Sequence, residues 1–328
     1  MPNTQNPPPQ GIQQKARFVD IIDDYAGQRI DNYLLRELNG VPKSLVYRII
    51  RKGEVRVNKG RIKPDYRLKE GDTVRIPPIK QVEKKPAGHV PDHILREIES
   101  RILFEDKRII VLNKPSGLAV HGGSGLSFGL IETLRALRPK DQNLELVHRL
   151  DRDTSGCLLI SKKRSALRRL HEQLREGQID KRYMALIKDE WKGRSKWIDA
   201  PLLKNVVKSG ERLVFVDNRG KEARTQFIPH STGNIASLMN IKLDTGRTHQ
   251  IRVHAQYIKQ PIAGDTKYGD ETFNKELKKL GLKRLFLHAS SLKFHLPDPE
   301  TEEDVLYHFE APLDKELITV LKNLNIKL

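Results

Sequence analysis

The chain has 328 residues, and its 60 Lys and Arg against 42 Asp and Glu give a formal net charge of +18. Such a charge attracts polyanions, either nucleic acids or anionic membranes. No apolar stretch reaches the about 18 residues of a membrane-spanning helix, and the N-terminus lacks the basic start and apolar segment of a signal peptide. With one cysteine, Cys157, no intrachain disulfide is possible, so we expect a cytoplasmic protein.

Composition changes along the chain predict four regions. The first contains four prolines and no apolar periodicity, which is typical of a disordered tail. The third combines prolines with charged residues, as linkers do. The predicted regions are a disordered tail at residues 1–17, a small α/β module at 18–80, a linker at 81–100 and a larger domain at 101–328.

The small module is predicted to contain two helices and a small sheet. Apolar residues at helical spacing indicate helices over 29–38 and from about Lys43, and alternation indicates strands at 54–58 and 72–76. Between residues 29 and 80, 14 Lys or Arg stand against 6 Asp or Glu, which predicts contact with a phosphate backbone rather than only a solvated face. The residues expected to make this contact are Lys43, Arg48, Arg51, Lys52, Arg56, Lys59, Arg61 and Lys63.

The larger domain is predicted to have an α+β fold. Apolar runs bounded by turn residues indicate strands, among them 109–113, 181–187, 237–243, 284–289 and 291–295. Apolar residues at helical spacing indicate a helix over 165–175. Isolated helical stretches lie between the strands without regular βαβ alternation. This order favours a mostly antiparallel mixed β-sheet flanked by helices.

Residues 146–160 stand out within this domain, because two apolar runs enclose polar and small residues with Asp151 near their centre. The pattern predicts a strand, an active-site loop and a second strand. We expect the neighbouring Arg149 and Arg152 to keep the Asp151 carboxylate ionised, since nearby positive charge favours the charged form of an acid. The chemistry should therefore use an aspartate anion.

Two hydrolytic alternatives use the same stretch. His148, Asp151 and Ser155 would form a Ser-His-Asp triad, but such a triad is defined by spatial geometry, and no Gly-x-Ser-x-Gly turn surrounds Ser155. A glycosidase would pair Asp151 with Asp153, whereas alternating residues of an extended loop point apart. The sequence favours neither alternative.

Cofactor and metal motifs are incomplete. The glycine-rich segment 121–125 has neither the spacing of a dinucleotide-binding loop nor the terminal Lys-Ser/Thr of a P-loop. His249 and His254 are five residues apart instead of the four that place two zinc ligands on one helical face, and no carboxylate or cysteine nearby completes a set. We therefore expect no cofactor and no metal.

Three blocks of the larger domain resemble the RluA/RluC/RluD-type pseudouridine synthases. The blocks are Lys114-Pro115-Ser116-Gly117, His148-Arg149-Leu150-Asp151-Arg152-Asp153-Thr154-Ser155-Gly156 and Gly246-Arg247-Thr248-His249-Gln250-Ile251-Arg252-Val253-His254. The small module resembles the S-four-type RNA-binding module through Arg29-Ile30-Asp31, Arg51-Lys52-Gly53-Glu54-Val55-Arg56-Val57-Asn58 and Gly71-Asp72. The resemblance is strongest to the RluC-type members, and it implies an enzyme that isomerises specific uridines of large-subunit ribosomal RNA.

The resemblance also implies roles for five residues. Asp151 is the aspartate that begins the isomerisation, and Arg252 pairs with it. Tyr183, which by itself is more typical of core packing, stacks on the target base, and Ile251 lines the base pocket. Arg149 fills the gap that the flipped nucleotide leaves in the RNA, which offsets part of the cost of unstacking. A carboxylate nucleophile needs no cofactor or metal for this chemistry.

A different class of function is open at this point. A non-catalytic RNA-binding or ribosome-assembly protein would share the charge and the small module, but it would not need Asp151, Tyr183 and Arg252 together. For either function we expect RNA as the partner, no membrane association, no obligate protein partner and a monomeric chain.

Overall fold

A computed structural model describes residues 16–22, 25–38, 41–79, 90–122, 128–141, 143–206, 212–298 and 300–328. The chain divides into two compact units, Met1–Gly88 and His89–Leu328. Most of the predicted tail, the first half of the predicted linker and most of the glycine-rich segment lie outside the described ranges. Within those ranges, no helix is both long and apolar enough to cross a bilayer.

In the first unit, two helices and a four-stranded antiparallel sheet share one core. The elements are β1 (Arg17–Asp20), α1 (Ile30–Glu37), α2 (Lys43–Arg51), β2 (Arg56–Val57), β3 (Gly60–Arg61) and β4 (Thr73–Ile76), with the strand order β1-β4-β2-β3. The helix α2 buries Val46, Ile49 and Ile50 and turns its basic residues to solvent, because its apolar residues recur at helical spacing. Both predicted helices are confirmed.

Two elements begin within the regions predicted as tail and linker. The tail was predicted to end at residue 17, but Arg17 begins β1, which pairs with the distant strand β4 and is mostly exposed, so that no local apolar pattern marks it. Within the predicted linker, Asp92–Ser100 forms the helix α3, and its Ile98 is buried in the core of the second unit. Prolines and charged residues near α3 are typical of a linker, so the sequence pattern does not indicate this nine-residue helix.

The second unit has twelve strands in the described ranges, and ten of them form one sheet. The strands are β5 (Ile102–Glu105), β6 (Ile109–Lys114), β7 (Glu145–Leu146), β8 (Ser155–Ser161), β9 (Asp180–Lys188), β10 (Lys196–Asp199), β11 (Leu202–Val206), β12 (Arg212–Val216), β13 (Arg224–Thr232), β14 (Ala236–Leu243), β15 (Leu287–Pro297) and β16 (Asp304–Glu310). The helices after α3 are α4 (Leu130–Leu137), α5 (Arg164–Arg175), α6 (Gln250–Tyr257), α7 (Glu271–Lys279) and α8 (Lys315–Asn323). The strands β11 and β12 form a separate hairpin.

The main path of the sheet runs β10-β13-β14-β9-β15-β8-β6-β5, with β7 beside β8 and β16 beside β15. Among the described strands of this sheet, only β8 and β15 pair in parallel. The predicted α+β fold with a mostly antiparallel mixed sheet is confirmed.

The sheet carries an apolar core on each face. Ala185 and Ile187 of β9 belong to one cluster, and Leu186 between them belongs to the other, which includes Phe273 of α7 and Leu317 of α8. A strand that is buried on both faces is uniformly apolar rather than alternating. The strands β6 and β8 are also buried along their whole length, and buried polar residues such as Lys114 and Ser155 flank their apolar runs. This burial explains why apolar runs marked these strands in the sequence.

The parallel pair β8–β15 holds the end of the loop that contains Asp151. Ser155 pairs with His288, and Gly156 pairs with Ala289. Gly156 has a φ of 109°, and a Cβ atom there would lie 2.2 Å from the carbonyl oxygen of Ala289. Both the backbone conformation and the close approach of the two strands therefore require glycine.

We predict that Gly156→Ala lowers the free energy of unfolding by about 3 kcal/mol or more, because the methyl group would collide with backbone atoms. Gly177→Ala is the matched control, since Gly177 also has a positive φ of 71° but a Cβ there meets no atom within 4 Å. Its cost should be about 1 kcal/mol. Urea denaturation followed by circular dichroism measures both values, and equal costs would contradict the importance of the close approach.

Candidate active site

Asp151 lies in the loop between β7 and β8, and Lys114 at the end of β6 supports this loop. The Lys114 ammonium is fully buried and donates to the carbonyl oxygens of Pro115 and Leu118 at 2.8 Å. Its third hydrogen bond reaches the carbonyl oxygen of Arg152 in the Asp151 loop at 2.9 Å. Burial lowers the pKa of Lys114 to about 7, and nearby carboxylates oppose this shift. Lys114 therefore ties β6 to the loop through hydrogen bonds that are shielded from water.

Two nitrogen groups approach the Asp151 carboxylate. Nη1 of Arg252 and Nε2 of His249 each lie 3.9 Å from Oδ2. Arg152, expected from the sequence to neighbour this carboxylate, instead pairs with Asp153 at 3.1 Å and is 61% exposed. That expectation is wrong for Arg152, because successive residues of an irregular loop point in different directions.

The nearer partner of Arg252 is Asp265. Nε and Nη2 of Arg252 donate to the two carboxylate oxygens of Asp265 at 2.7 and 2.8 Å, which is bidentate geometry. Both side chains are buried. Burial alone would raise the pKa of Asp265, but the hydrogen bonds from Arg252 lower it. Sequence reasoning missed Asp265, because an ion pair between a helix and a later turn leaves no periodic signal.

His249 precedes α6 with a left-handed backbone conformation, φ 55°. Its Nδ1 lies 2.8 Å from the hydroxyl oxygen of Tyr268, and the two rings meet edge to face at 5.4 Å. Burial lowers the pKa of His249, which favours the neutral imidazole. The sequence placed His249 in a family block but gave it no role beyond that of a rejected zinc ligand, and nothing in the local pattern indicated Tyr268.

Two cavities meet at Asp151. The smaller has a volume of about 90 Å³, and its walls include Tyr183, Ile251 and Leu287, all of which are buried. The larger has a volume of about 960 Å³. The residues that line both cavities are Arg149, Leu150, Asp151, His249 and Arg252. The structure thus brings the five site residues predicted from the motifs to the walls of one small cavity.

The smaller cavity has the chemistry of a site for a planar base. The ring of Tyr183 and the side chain of Ile251 supply apolar walls, and Asp151 is the carboxylate among the described residues that line it. Burial, together with the charge of Asp151, raises the pKa of Tyr183, so the phenol stays neutral. Arg149 lines the cavity and is exposed to solvent. A nucleobase inside would meet an aromatic ring, an aliphatic side chain and an anion.

The serine-triad alternative is wrong. Oγ of Ser155 lies 2.8 Å from Nδ1 of His288, and both side chains are completely buried. His148 instead accepts the backbone N–H of Leu159 through Nε2 at 3.2 Å. Ser155 therefore has a different histidine partner and no access for a substrate. Within the described ranges, no group of three His, Cys, Asp or Glu side chains is arranged to hold a metal ion.

All eight basic residues predicted to contact RNA are exposed in the first unit. They are Lys43, Arg48, Arg51, Lys52, Arg56, Lys59, Arg61 and Lys63. Arg56 and Arg61 face each other directly across the β2–β3 pair. Like charges at such positions repel each other and destabilise a hairpin.

Comparison with known proteins gives concordant matches. A profile described as RNA pseudouridylate synthase matches residues 108–257, and one described as S4 domain matches residues 28–74. The curated ribosomal large subunit pseudouridine synthase C of Pasteurella multocida (strain Pm70) is 55% identical over 314 residues, 94% of each chain. Its namesake from Escherichia coli (strain K12) is 55% identical over 313 residues, 94% of this chain and 97% of that one. The solved structure of Human RNA Pseudouridylate Synthase Domain Containing 4 is 26% identical, with a TM-score of 0.58, and covers 72% of this chain and 97% of that chain.

We predict that His148 makes the protein lose stability as the pH falls from about 6.5 towards about 3. Desolvation lowers the pKa of His148 from 6.5 to about 3 in the folded protein. In this window the unfolded chain binds a proton that the folded protein does not, so the free energy of unfolding should fall by up to about 1.4 kcal/mol per pH unit.

The matching variant is His148→Gln, whose side-chain carbonyl can still accept the Leu159 N–H but does not titrate. Its free energy of unfolding, measured by urea titration at several pH values, should depend less steeply on pH in this window. His230→Gln, at an exposed histidine, is the control that should keep the wild-type slope. An unchanged slope in His148→Gln would show that the His148 imidazole does not carry the effect.

Proposed function

The chain belongs to the RNA pseudouridylate synthase family, and we propose that it converts specific uridines of large-subunit ribosomal RNA to pseudouridine, with Asp151 as the catalytic aspartate. Family membership makes the chain an isomerase, not the purely RNA-binding protein that its charge left open. The substrate class is supported by the 55% identity to relatives whose name assigns them to the large ribosomal subunit.

The observation that carries the proposal is the convergence of Asp151, Tyr183, Ile251, Arg252 and Arg149 on one small cavity. These residues come from the β7–β8 loop, β9 and α6, which are far apart in the sequence. An RNA-binding surface alone would not need a carboxylate, a buried tyrosine and a buried arginine around an enclosed space.

Pseudouridine formation is an isomerisation within one nucleotide. The bond between N1 and C1′ breaks, the base rotates, and a bond forms between C5 and C1′. C5 loses its proton and N1 gains one, so the reaction needs no oxidant, reductant or group donor. An ionised carboxylate is a suitable nucleophile for such a step, and Nη1 of Arg252 lies 3.9 Å from Oδ2 of Asp151.

A uridine within a stacked RNA must leave the stack before it can enter this cavity. Tyr183 offers a ring on which the uracil can stack, and Ile251 offers an aliphatic contact on the cavity wall. Arg149, exposed and shared by both cavities, would occupy the vacancy in the RNA. A side chain in that vacancy offsets part of an unstacking cost of a few kcal/mol.

The first unit would hold the RNA through its phosphate backbone. Its eight exposed basic residues supply charge without a base-specific pattern, which positions a substrate but does not choose the uridine. The single cysteine is in keeping with a cytoplasmic location. The proposed partner there is ribosomal RNA, and we propose that the protein acts on it as a monomer.

We predict that Asp151→Asn abolishes pseudouridine formation while RNA affinity stays within a few fold, because the amide keeps the shape but lacks the anion. Asp304→Asn, at an exposed carboxylate of β16, is the control that should keep full activity. Release of tritium from C5-labelled uridine in ribosomal RNA measures turnover, and filter binding measures affinity. Turnover in purified Asp151→Asn at the wild-type rate would rule out the proposed role.

We also predict that replacing both Arg51 and Lys52 by alanine weakens RNA binding and reduces its dependence on salt. Each lost phosphate contact should lower the slope of log K against log salt by about 0.7 to 0.9. The rate at saturating RNA should not change, since neither residue lines the Asp151 cavities. Lys322→Ala in α8 is the control for a loss of charge elsewhere. An unchanged salt slope in the double variant would show that these residues do not contact phosphate.

A further inference from the structure

We propose that His249 is a positioning residue for pseudouridine formation, which presents Nε2–H to Oδ2 of Asp151 while the Tyr268 hydroxyl fixes its tautomer. The inference rests on the proposed role of Asp151 and adds a residue to that site. His249 does not act on the substrate itself. It orients the carboxylate that does.

The tautomer follows from the hydrogen bonds of Tyr268. The Tyr268 hydroxyl oxygen accepts the backbone N–H of Val214 at 3.1 Å, and Nδ1 of His249 lies 2.8 Å from the same oxygen. The hydroxyl has one hydrogen, and Nδ1 of a neutral imidazole can accept it only if Nε2 carries the proton. The opposite tautomer would present a lone pair at Nε2 to the Asp151 anion, which is repulsive. Both considerations select the tautomer with hydrogen on Nε2.

The charges around His249 agree with a neutral ring held in this orientation. Burial is the largest influence on the imidazole and lowers its pKa. The carboxylates of Asp151 and Asp265 act in the opposite direction, and the cations of Arg252 and Lys267 reinforce the effect of burial. A neutral imidazole needs a partner to choose between its two tautomers, and Tyr268 is the group in contact with Nδ1.

The backbone at His249 is adapted to this contact. Its φ of 55° and ψ of 19° place it in the left-handed region, which a residue with a Cβ seldom adopts. The side chain of the next residue, Gln250, holds this turn by accepting from the Thr245 hydroxyl at 2.7 Å and the Arg247 N–H at 3.0 Å. An unusual conformation maintained by surrounding hydrogen bonds is a mark of a functional position.

One short segment directs both groups that approach Asp151. Asp265 occupies Nε and Nη2 of Arg252, and it also accepts the backbone N–H of Tyr268 at 2.9 Å. Tyr268 in turn contacts His249. Arg252 and His249 therefore point at the same oxygen, Oδ2, which leaves Oδ1 of Asp151 for the substrate. At 3.9 Å these approaches exceed hydrogen-bond length, and such contacts commonly shorten when substrate binds.

Kinetics of three single variants and one double variant test the proposal. In His249→Ala the single-turnover rate at saturating RNA should fall about 10- to 100-fold, with KM within a few fold, because a misoriented nucleophile slows chemistry and not binding. His249→Gln should recover much of the rate, since its amide can place an N–H near the position of Nε2. Tyr268→Phe should slow the wild-type enzyme but have little further effect in the His249→Gln background, where there is no tautomer to select.

Nitrogen-15 NMR of histidine-labelled protein shows which ring nitrogen of His249 carries hydrogen. If His249 had only a structural role, this tautomer would not depend on Tyr268. The wild type should show His249 with hydrogen on Nε2, and Tyr268→Phe should raise the share of the tautomer with hydrogen on Nδ1, because only the charge of Asp151 then opposes it. His308→Gln, in the partly exposed β16, is the control variant for kinetics. If His249→Ala proves too unstable to assay, His249→Gln, Tyr268→Phe and the NMR spectra still decide.

Hydrogen on Nδ1 in the wild type, or a wild-type rate in His249→Ala, would overturn the inference. So would an additive effect of Tyr268→Phe in the His249→Gln background. These results differ from failure of the proposed function, in which Asp151→Asn itself would turn over RNA. An inactive Asp151→Asn together with a fully active His249→Ala would refute only the positioning role.

Discussion

The Asp151 site depends on the buried ion pair between Arg252 and Asp265. A buried guanidinium without a counterion costs several kcal/mol, and Asp265 supplies the counterion through two short hydrogen bonds. Because Asp265 uses Nε and Nη2, the remaining nitrogen, Nη1, faces Asp151 at 3.9 Å. Positive charge therefore lies beside the aspartate without engaging it in a close pair. Lys114 completes the arrangement, because it holds the loop in which Asp151, 19% exposed, lies between two cavities.

Much of the fold could be predicted, because most elements bury a periodic apolar face. The helix α5 and the strands β6, β9 and β14 lie close to their predicted positions. Residues 284–295 were expected to form two strands, but β15 is one strand with a register shift between His288 and Ser291. An irregularity within a continuous strand interrupts the apolar pattern as a turn does. The elements β1 and α3 escaped prediction because β1 is mostly exposed and α3 lies among prolines and charged residues that are typical of a linker.

The site was predictable only through the motif blocks. Locally, Tyr183 is typical of core packing, and it does pack in the core while one side lines the small cavity. The expected neighbours of Asp151 came from adjacent positions in the sequence, whereas the groups that approach it, Arg252 and His249, come from a helix and the turn before it. Asp265 and Tyr268 act through contacts across the fold, and no local pattern of residues records such contacts.

The catalytic role of Asp151 is tested most directly by a map of pseudouridine in large-subunit ribosomal RNA from cells that lack this protein and then receive either the wild type or Asp151→Asn. If Asp151 is the catalytic aspartate, specific sites lose pseudouridine in the deletion strain, the wild type restores them, and Asp151→Asn, expressed at the same level, restores none. Restoration by Asp151→Asn, or a deletion strain whose large-subunit RNA keeps every pseudouridine, would refute this role.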